Sequence, residues 1–212
     1  MNSIIFDFDG TLIDSQEHIH NCYYLATKEI APHLVFKTKE IIIGPTLKQT
    51  IEFILGKENK KLFDIFFKEF IKIHDDNLSN TKIFNGIQEV LEDLYKKNVP
   101  VAIATNKRMK PTKSIIQQLK LEKYFSKIVC TDSFEKKLNK KQMIKVIMKD
   151  KNFKNAIMIG DTIDDFDAAI SNGIKFIKVS WGYGDNESWK QKTYNEVSKP
   201  AEIIRYLGTA IL

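Results

Sequence analysis

The chain has 212 residues, 43% of them hydrophobic and 28% charged, with 33 basic against 27 acidic side chains and a net charge of +6. That is enough chain for a full core in one domain, or a domain plus a small insertion, with ordinary soluble composition. Only Arg108 and Arg205 are arginine, and the lysines scatter along helical stretches, so the charge argues for solvated faces and against a nucleic-acid partner.

Cys22 and Cys130 are too few and too far apart for a disulfide framework or a zinc site. No stretch of 18 uninterrupted apolar residues occurs, and Ile4 to Phe6 is too short for a secretory segment. The expectation is a cytoplasmic protein without a membrane partner.

In chain order, residues 4–8 read as a short apolar strand and Asp9-Gly10-Thr11 as its turn. Residues 17–30, 46–55 and 60–78 carry apolar side chains at three- and four-residue spacing, which predicts helices, and Ile41 to Ile43 are the one strand-like run among them. From Gly86 the pattern alternates. Helices are expected at 87–97, 113–119, 141–149 and 164–172, and strands at 101–104, 128–130, 156–159 and 175–179. Such alternation implies right-handed βαβ units and a parallel sheet. Residues 181–186, with Gly182 and Gly184, read as a loop after the last strand, either a plain connection or a functional one. The expected fold is α/β: a Rossmann-like parallel sheet flanked by helices, with a small all-helical cap inserted after the first strand. The core takes residues 1–14 and 81–212, and the cap 15–80.

Four short segments carry chemistry: Asp7-Phe8-Asp9-Gly10-Thr11, Ala104-Thr105-Asn106-Lys107, the pair Lys140-Lys141, and Gly160-Asp161-Thr162-Ile163-Asp164-Asp165. Three of them follow apolar runs, so they sit at strand carboxyl ends, where open parallel sheets bind ligands. Asp7 and Asp9 alternate along an extended backbone and share a side if the strand runs through Phe8. Asp161, Asp164 and Asp165 converge if a helix begins there, and so many like charges call for a hard cation bound by oxygens. Asp164 has a simpler explanation in the preference of acidic residues for helix N-termini.

In these segments the chain resembles the haloacid dehalogenase-like hydrolases, and among them the phosphoglycolate phosphatase-like branch with a small helical cap. The segment from Phe6 to Ser15 is similar to the family's first motif, Thr105-Asn106-Lys107 to its second, Lys140 or Lys141 to its third, and the segment from Gly160 to Asp165 to its fourth. The resemblance implies a magnesium-dependent phosphatase acting on a small phosphate ester through an aspartyl phosphate. It gives Asp7 the role of nucleophile and Asp9 that of acid and base. Thr105 and Asn106 would bond phosphoryl oxygens, and a lysine would neutralise charge. Counting back four from Ile144, by similarity to relatives of this length, selects Lys140 over Lys141. Magnesium would be held by Asp7, by the Asp9 carbonyl and by Asp161, with Asp165 orienting its shell.

Asp9 argues against dehalogenase action, and Gly160 before Asp161 against a β-phosphoglucomutase-like phosphomutase, whose relatives usually carry Glu-Asp there. An inorganic pyrophosphatase would look much the same as a small-ester phosphatase. The alternative of another class is a non-catalytic, metal-binding regulatory protein.

Overall fold

The computed structural model describes residues 2–78, 81–184 and 189–208. Ser79 and Asn80 at the end of the expected cap, Asp185 and Asn186 of the expected loop, and residues 209–212 lie outside these ranges.

A six-stranded, wholly parallel sheet runs in the order β5 (Lys127–Cys130), β4 (Val101–Thr105), β1 (Ser3–Phe6), β6 (Ala156–Gly160), β7 (Lys175–Val179), β8 (Asn195–Val197). β1 lies centrally, with Phe6 opposite Ile103 of β4 and Ile159 of β6. Its residues alternate between two cores, because successive strand side chains leave opposite faces. Ile4 and Phe6 join Ile103, Ile159 and Ile177 on one side; Ile5 joins Ala104, Met158 and Phe176 on the other. Burial on both faces explains why these strands read as continuous apolar runs. The flanking helices are α4 (Ile87–Lys96), α5 (Met109–Gln118), α6 (Lys140–Ile147) and α7 (Ile163–Ser171), and the last described turns form α8 (Arg205–Gly208).

Between β1 and α4 stands a helical insertion, α1 (Gln16–Ile30), a 3-10 segment over Pro32–Glu40, α2 (Leu47–Leu55) and α3 (Phe63–Asp76). It has its own core, in which Tyr23 and Ala26 pack with Ile51, Ile54, Phe66 and Phe70. Two short antiparallel strands, β2 (Ile13–Asp14) and β3 (Lys82–Ile83), pair Ile13 with Ile83 and tie its two connections together. Among the described residues no helix is long and apolar enough to cross a membrane.

The differences from expectation have local causes. Ile41 to Ile43 form no strand: Ile41 and Ile43 are buried and Ile42 exposed, so the alternation is present, but no partner strand lies beside it. β1 stops at Phe6 because the Phe8 carbonyl accepts from Leu12 and Ile13, closing a turn instead of a ladder. α5 begins at Met109, before the expected 113, since Pro111 is tolerated in a first turn and the Met109 N–H donates to Asp132 Oδ1 at 2.7 Å. β2, β3 and β8 are too short and polar to leave a period in the sequence.

The insertion buries two histidines, His18 and His74, with ring centroids 5.0 Å apart. Burial, then the Lys107 charge and His18, hold His74 down to about 2 from an ordinary 6.5, and burial lowers His18 too. A folded state that refuses a proton the unfolded chain accepts loses stability as pH falls below the unfolded value. Between pH 7.5 and 5, His74 is expected to remove about 2 kcal/mol of folding stability. His74→Phe should lose that slope in denaturant titrations, and midpoints running parallel for the two proteins at both pH values would contradict it.

Candidate active site

The carboxyl ends of β1 and β4 open on one cavity of about 100 Å³, whose wall includes Asp7, Asp9, Thr105, Asn106, Lys107 and Lys140 from the sheet side and Tyr23, Thr50 and His74 from the insertion. Asp7 continues β1 by one bond, its N–H donating to the Ile159 carbonyl at 2.9 Å. Asp161 and Asp165 follow β6, with Asp165 inside the first turn of α7. The three carboxylates are buried, and one oxygen from each lies within 4.8 Å of the others.

Each of the three is held differently. Asp165 Oδ2 accepts from the Thr162 hydroxyl at 2.7 Å and its N–H at 3.1 Å, closing a box at the α7 N-terminus where negative charge is favoured. Asp161 accepts from the Thr11 hydroxyl at 3.1 Å and from the Tyr183 N–H at 2.8 Å. Asp7 accepts from Lys140 at 2.5 Å. Gly10 makes this approach possible: its φ is +80°, and a Cβ there would lie 2.4 Å from Asp161 Oδ2.

Lys140 is the buried cation among them. Its ammonium also stands 2.9 Å from Asp165 Oδ1 and donates to the Ala104 carbonyl at 3.1 Å. Lys141, one residue on, faces solvent. The Asn139 capping box fixes this register: Asn139 and Gln142 exchange hydrogen bonds at the start of α6, which turns the first helical residue inward.

One cation cannot balance three buried anions. Burial and then the Asp165 charge raise Asp7 well above the usual carboxylate range despite Lys140, and burial with Asp165 takes Asp161 to about 7. For Lys140, burial alone favours the neutral amine, but Asp165 and Asp7 outweigh it and keep the ammonium charged. An all-oxygen set of buried, under-compensated carboxylates suits a hard divalent cation.

Asp9 stands outside this triad. Its carboxylate pairs with Lys107 at 3.0 Å and accepts from the Ser15 hydroxyl at 2.5 Å. Burial pushes against ionisation there, yet Lys107 and Ser15 prevail and leave Asp9 below its ordinary value. Thr105 is buried at the end of β4, its hydroxyl accepting from the Lys107 N–H at 3.1 Å. The Asn106 amide donates at 3.2 Å both to the Gly44 carbonyl of the insertion and to Asp164 Oδ2. Sequence reasoning assigned no role to Lys107, Ser15, Thr11 or Tyr183. The first three stood inside the motif segments, but nothing in a linear pattern says which carboxylate each would meet. Both cysteines are buried, which pushes their thiols up to about 12 and leaves neither as a nucleophile.

The family model for haloacid dehalogenase-like hydrolases matches residues 4–179. A phosphoglycolate phosphatase of Aquifex aeolicus is 29% identical over 220 residues, covering 100% of this chain and 99% of its own length. The pyrophosphatase PpaX of Bacillus cereus is 27% identical, over 94% of this chain and 90% of its own. Among solved structures, the haloacid dehalogenase-like family protein SP0104 from Streptococcus pneumoniae superimposes with a TM-score of 0.82 at 24% identity, covering 98% of each chain.

The charge balance generates a test that needs no substrate. Lys140→Met leaves the carboxylates without their cation and is expected to cost about 3–5 kcal/mol of stability in chelator at pH 8. Lys141→Met should stay within about 0.5 kcal/mol of wild type. Denaturant midpoints measure both, and equal midpoints for the two variants would show that Lys140 does not hold the cluster together.

Proposed function

This chain belongs to the haloacid dehalogenase-like hydrolases, and from that premise we propose that it is a magnesium-dependent phosphatase for a small phosphorylated metabolite, working through an aspartyl phosphate on Asp7. The observation that carries the reading is that Asp7 and Lys140 pair on the cavity wall, while Lys140 also pairs with Asp165 and Asp7 clusters with Asp161 and Asp165.

In the proposed cycle an Asp7 oxygen attacks phosphorus, the bond to the leaving oxygen breaks, and the phosphoryl group rests on Asp7. Splitting hydrolysis into two displacements lowers each barrier. Asp9 protonates the departing alkoxide, then takes a proton from the water that attacks the aspartyl phosphate. The charged Asp9 of the resting site matches the second half of that cycle. An incoming phosphate dianion opposes the Lys107 charge and raises Asp9, which supplies the proton needed in the first half. Thr105 offers a hydroxyl to the phosphoryl oxygens, and Lys140 offsets the charge of the nucleophile. Asp7, Asp161 and Asp165, with the Asp9 carbonyl, would hold magnesium, which supplies the positive charge that Lys140 alone does not.

The cavity favours a small substrate. About 100 Å³ admits a phosphoryl group and a few further atoms. Lys107 and Arg108 on its wall, paired in the resting site with Asp9 and Asp75, would suit a second anionic group, either a carboxylate or another phosphate, that competes for them. Those two cations also sustain a second reading, hydrolysis of inorganic pyrophosphate. In either case the helical insertion is the cap that sets substrate size.

Chelation is expected to abolish turnover and magnesium to restore it, with calcium a poor substitute because its looser shell spoils in-line geometry. Asp7→Asn should be inactive, and Asp9→Asn slower by a factor of about 10² to 10⁴. A screen of phosphorylated metabolites and pyrophosphate with magnesium reads all three. Full activity in excess chelator, or wild-type turnover by Asp7→Asn with deamidation excluded by mass spectrometry, would overturn the proposal.

A further inference from the structure

The segment after β7 reaches two places at once. Trp181 Nε1 donates to the Thr11 carbonyl at 3.2 Å, and the Tyr183 N–H donates to Asp161. The backbone passes so close that a Cβ on Gly184 would stand 1.9 Å from the Asp161 carbonyl oxygen, a contact no rearrangement of side chains relieves.

From the same residue the Tyr183 side chain runs to the first connection of the helical insertion. Its phenol oxygen accepts from the Ser15 N–H at 2.8 Å and the Gln16 N–H at 3.2 Å, and its proton goes to Asp14 Oδ1 at 2.6 Å. Two lone pairs and one hydrogen are thereby all used. The ring also faces Phe84, just past β3 on the second connection, with centroids 6.2 Å apart.

This is an unusual way to begin a helix. Serine at an N-cap ordinarily accepts from amides of its own first turn. Here Ser15 makes no such bond, and its hydroxyl instead points to Asp9, to which it donates. The amides of the N-cap Ser15 and of Gln16, the first residue of α1, are served by Tyr183, which lies 168 positions from Ser15. One tyrosine therefore bonds, through its backbone, a carboxylate of the buried triad and, through its side chain, the connection on which the insertion would pivot.

We infer that Tyr183 is a positioning residue that couples the angle of the insertion to the placement of Asp161. The inference rests on the proposal that Asp161 binds magnesium and that the insertion is a moving cap. Seating of the phenol at Asp14, Ser15 and Gln16 holds the N–H of the same residue on Asp161. A hinge movement that withdraws Ser15 and Gln16 loosens that bond as well. Because coupling between two sites is reciprocal, metal at the triad must in turn protect the hinge amides.

Hydrogen exchange on the full chain tests this without turnover. In wild type, saturating magnesium should slow exchange of the Ser15 and Gln16 amides about three- to tenfold relative to amides at the far end of α1, the effect of one hydrogen bond. In Tyr183→Phe, which keeps the ring and loses the oxygen, both amides should exchange faster and the magnesium effect should disappear. Magnesium affinity by calorimetry should weaken severalfold in the same variant. Asp14→Ala, which leaves the phenol seated on the two amides alone, should fall between, and it carries the test if Tyr183→Phe does not fold. Exchange at Ser15 and Gln16 that ignores magnesium in wild type, or responds equally in the variants, would overturn the coupling. So would faster exchange with unchanged affinity, which would reduce Tyr183 to a helix cap. Absence of phosphatase turnover would count against the proposed reaction only, since neither readout uses substrate.

Discussion

Three carboxylates buried in one place are the constraint on which the rest of this molecule turns. Left to themselves, Asp7, Asp161 and Asp165 would repel one another and draw protons, and the upward shifts of Asp7 and Asp161 express that tension. The fold answers with dispersed supports. Lys140 bridges two of the three, the amino end of α7 and its Thr162 box favour Asp165, and Thr11 and the Tyr183 N–H hold Asp161. These supports come from four separate stretches of chain. A parallel sheet that brings strand ends to one edge is what lets them meet, and the surplus negative charge is what a divalent cation would neutralise.

Asp9 lies a few ångströms of chain away under a different electrostatic rule. Lys107 and Ser15 keep it charged while Asp7 is pushed toward neutrality. Two aspartates separated by one phenylalanine thus have environments that drive them in opposite directions, and a divalent cation at the triad would return Asp7 to the charged form that a nucleophile needs. The same Ser15 belongs to the connection of the helical insertion, so the acid/base candidate and the pivot share a residue. Asn106 adds a second tie, from the end of β4 to Gly44 in the loop before α2. Any movement of the insertion would therefore change the surroundings of Asp9 and Asn106 at the sheet edge.

Much of this was legible before the structure. Continuous apolar runs located β1, β4, β6 and β7, since strands buried on both faces have nothing polar to interrupt them. Three- and four-residue spacing located α1, α2 and α3. Cap boxes at Asn139 and Thr162 are local motifs, and they fix the inward turn of Lys140 and Asp165, the two residues to which the family resemblance pointed. What stayed hidden was whatever depends on a distant partner. β2 and β3 are two residues each and exist only because the ends of the insertion meet. Ile41 to Ile43 carry a strand's alternation without a neighbour to pair with. The partnership of Tyr183 with Ser15 and Asp161 spans most of the chain, and no spacing rule connects them. Asn106, chosen as a ligand for phosphoryl oxygens, is spent here on Gly44 and Asp164, a use set by tertiary packing.

The most direct measurement of the charge argument is the thermal stability of chelator-stripped protein titrated with magnesium, for wild type and for Asp161→Asn. An under-compensated triad predicts a magnesium-dependent rise in wild type, and predicts that the substitution stabilises the metal-free protein, by removing one of three repelling charges, and abolishes that rise. A wild-type melting temperature indifferent to magnesium, or an Asp161→Asn protein that responds to magnesium as wild type does, would contradict it.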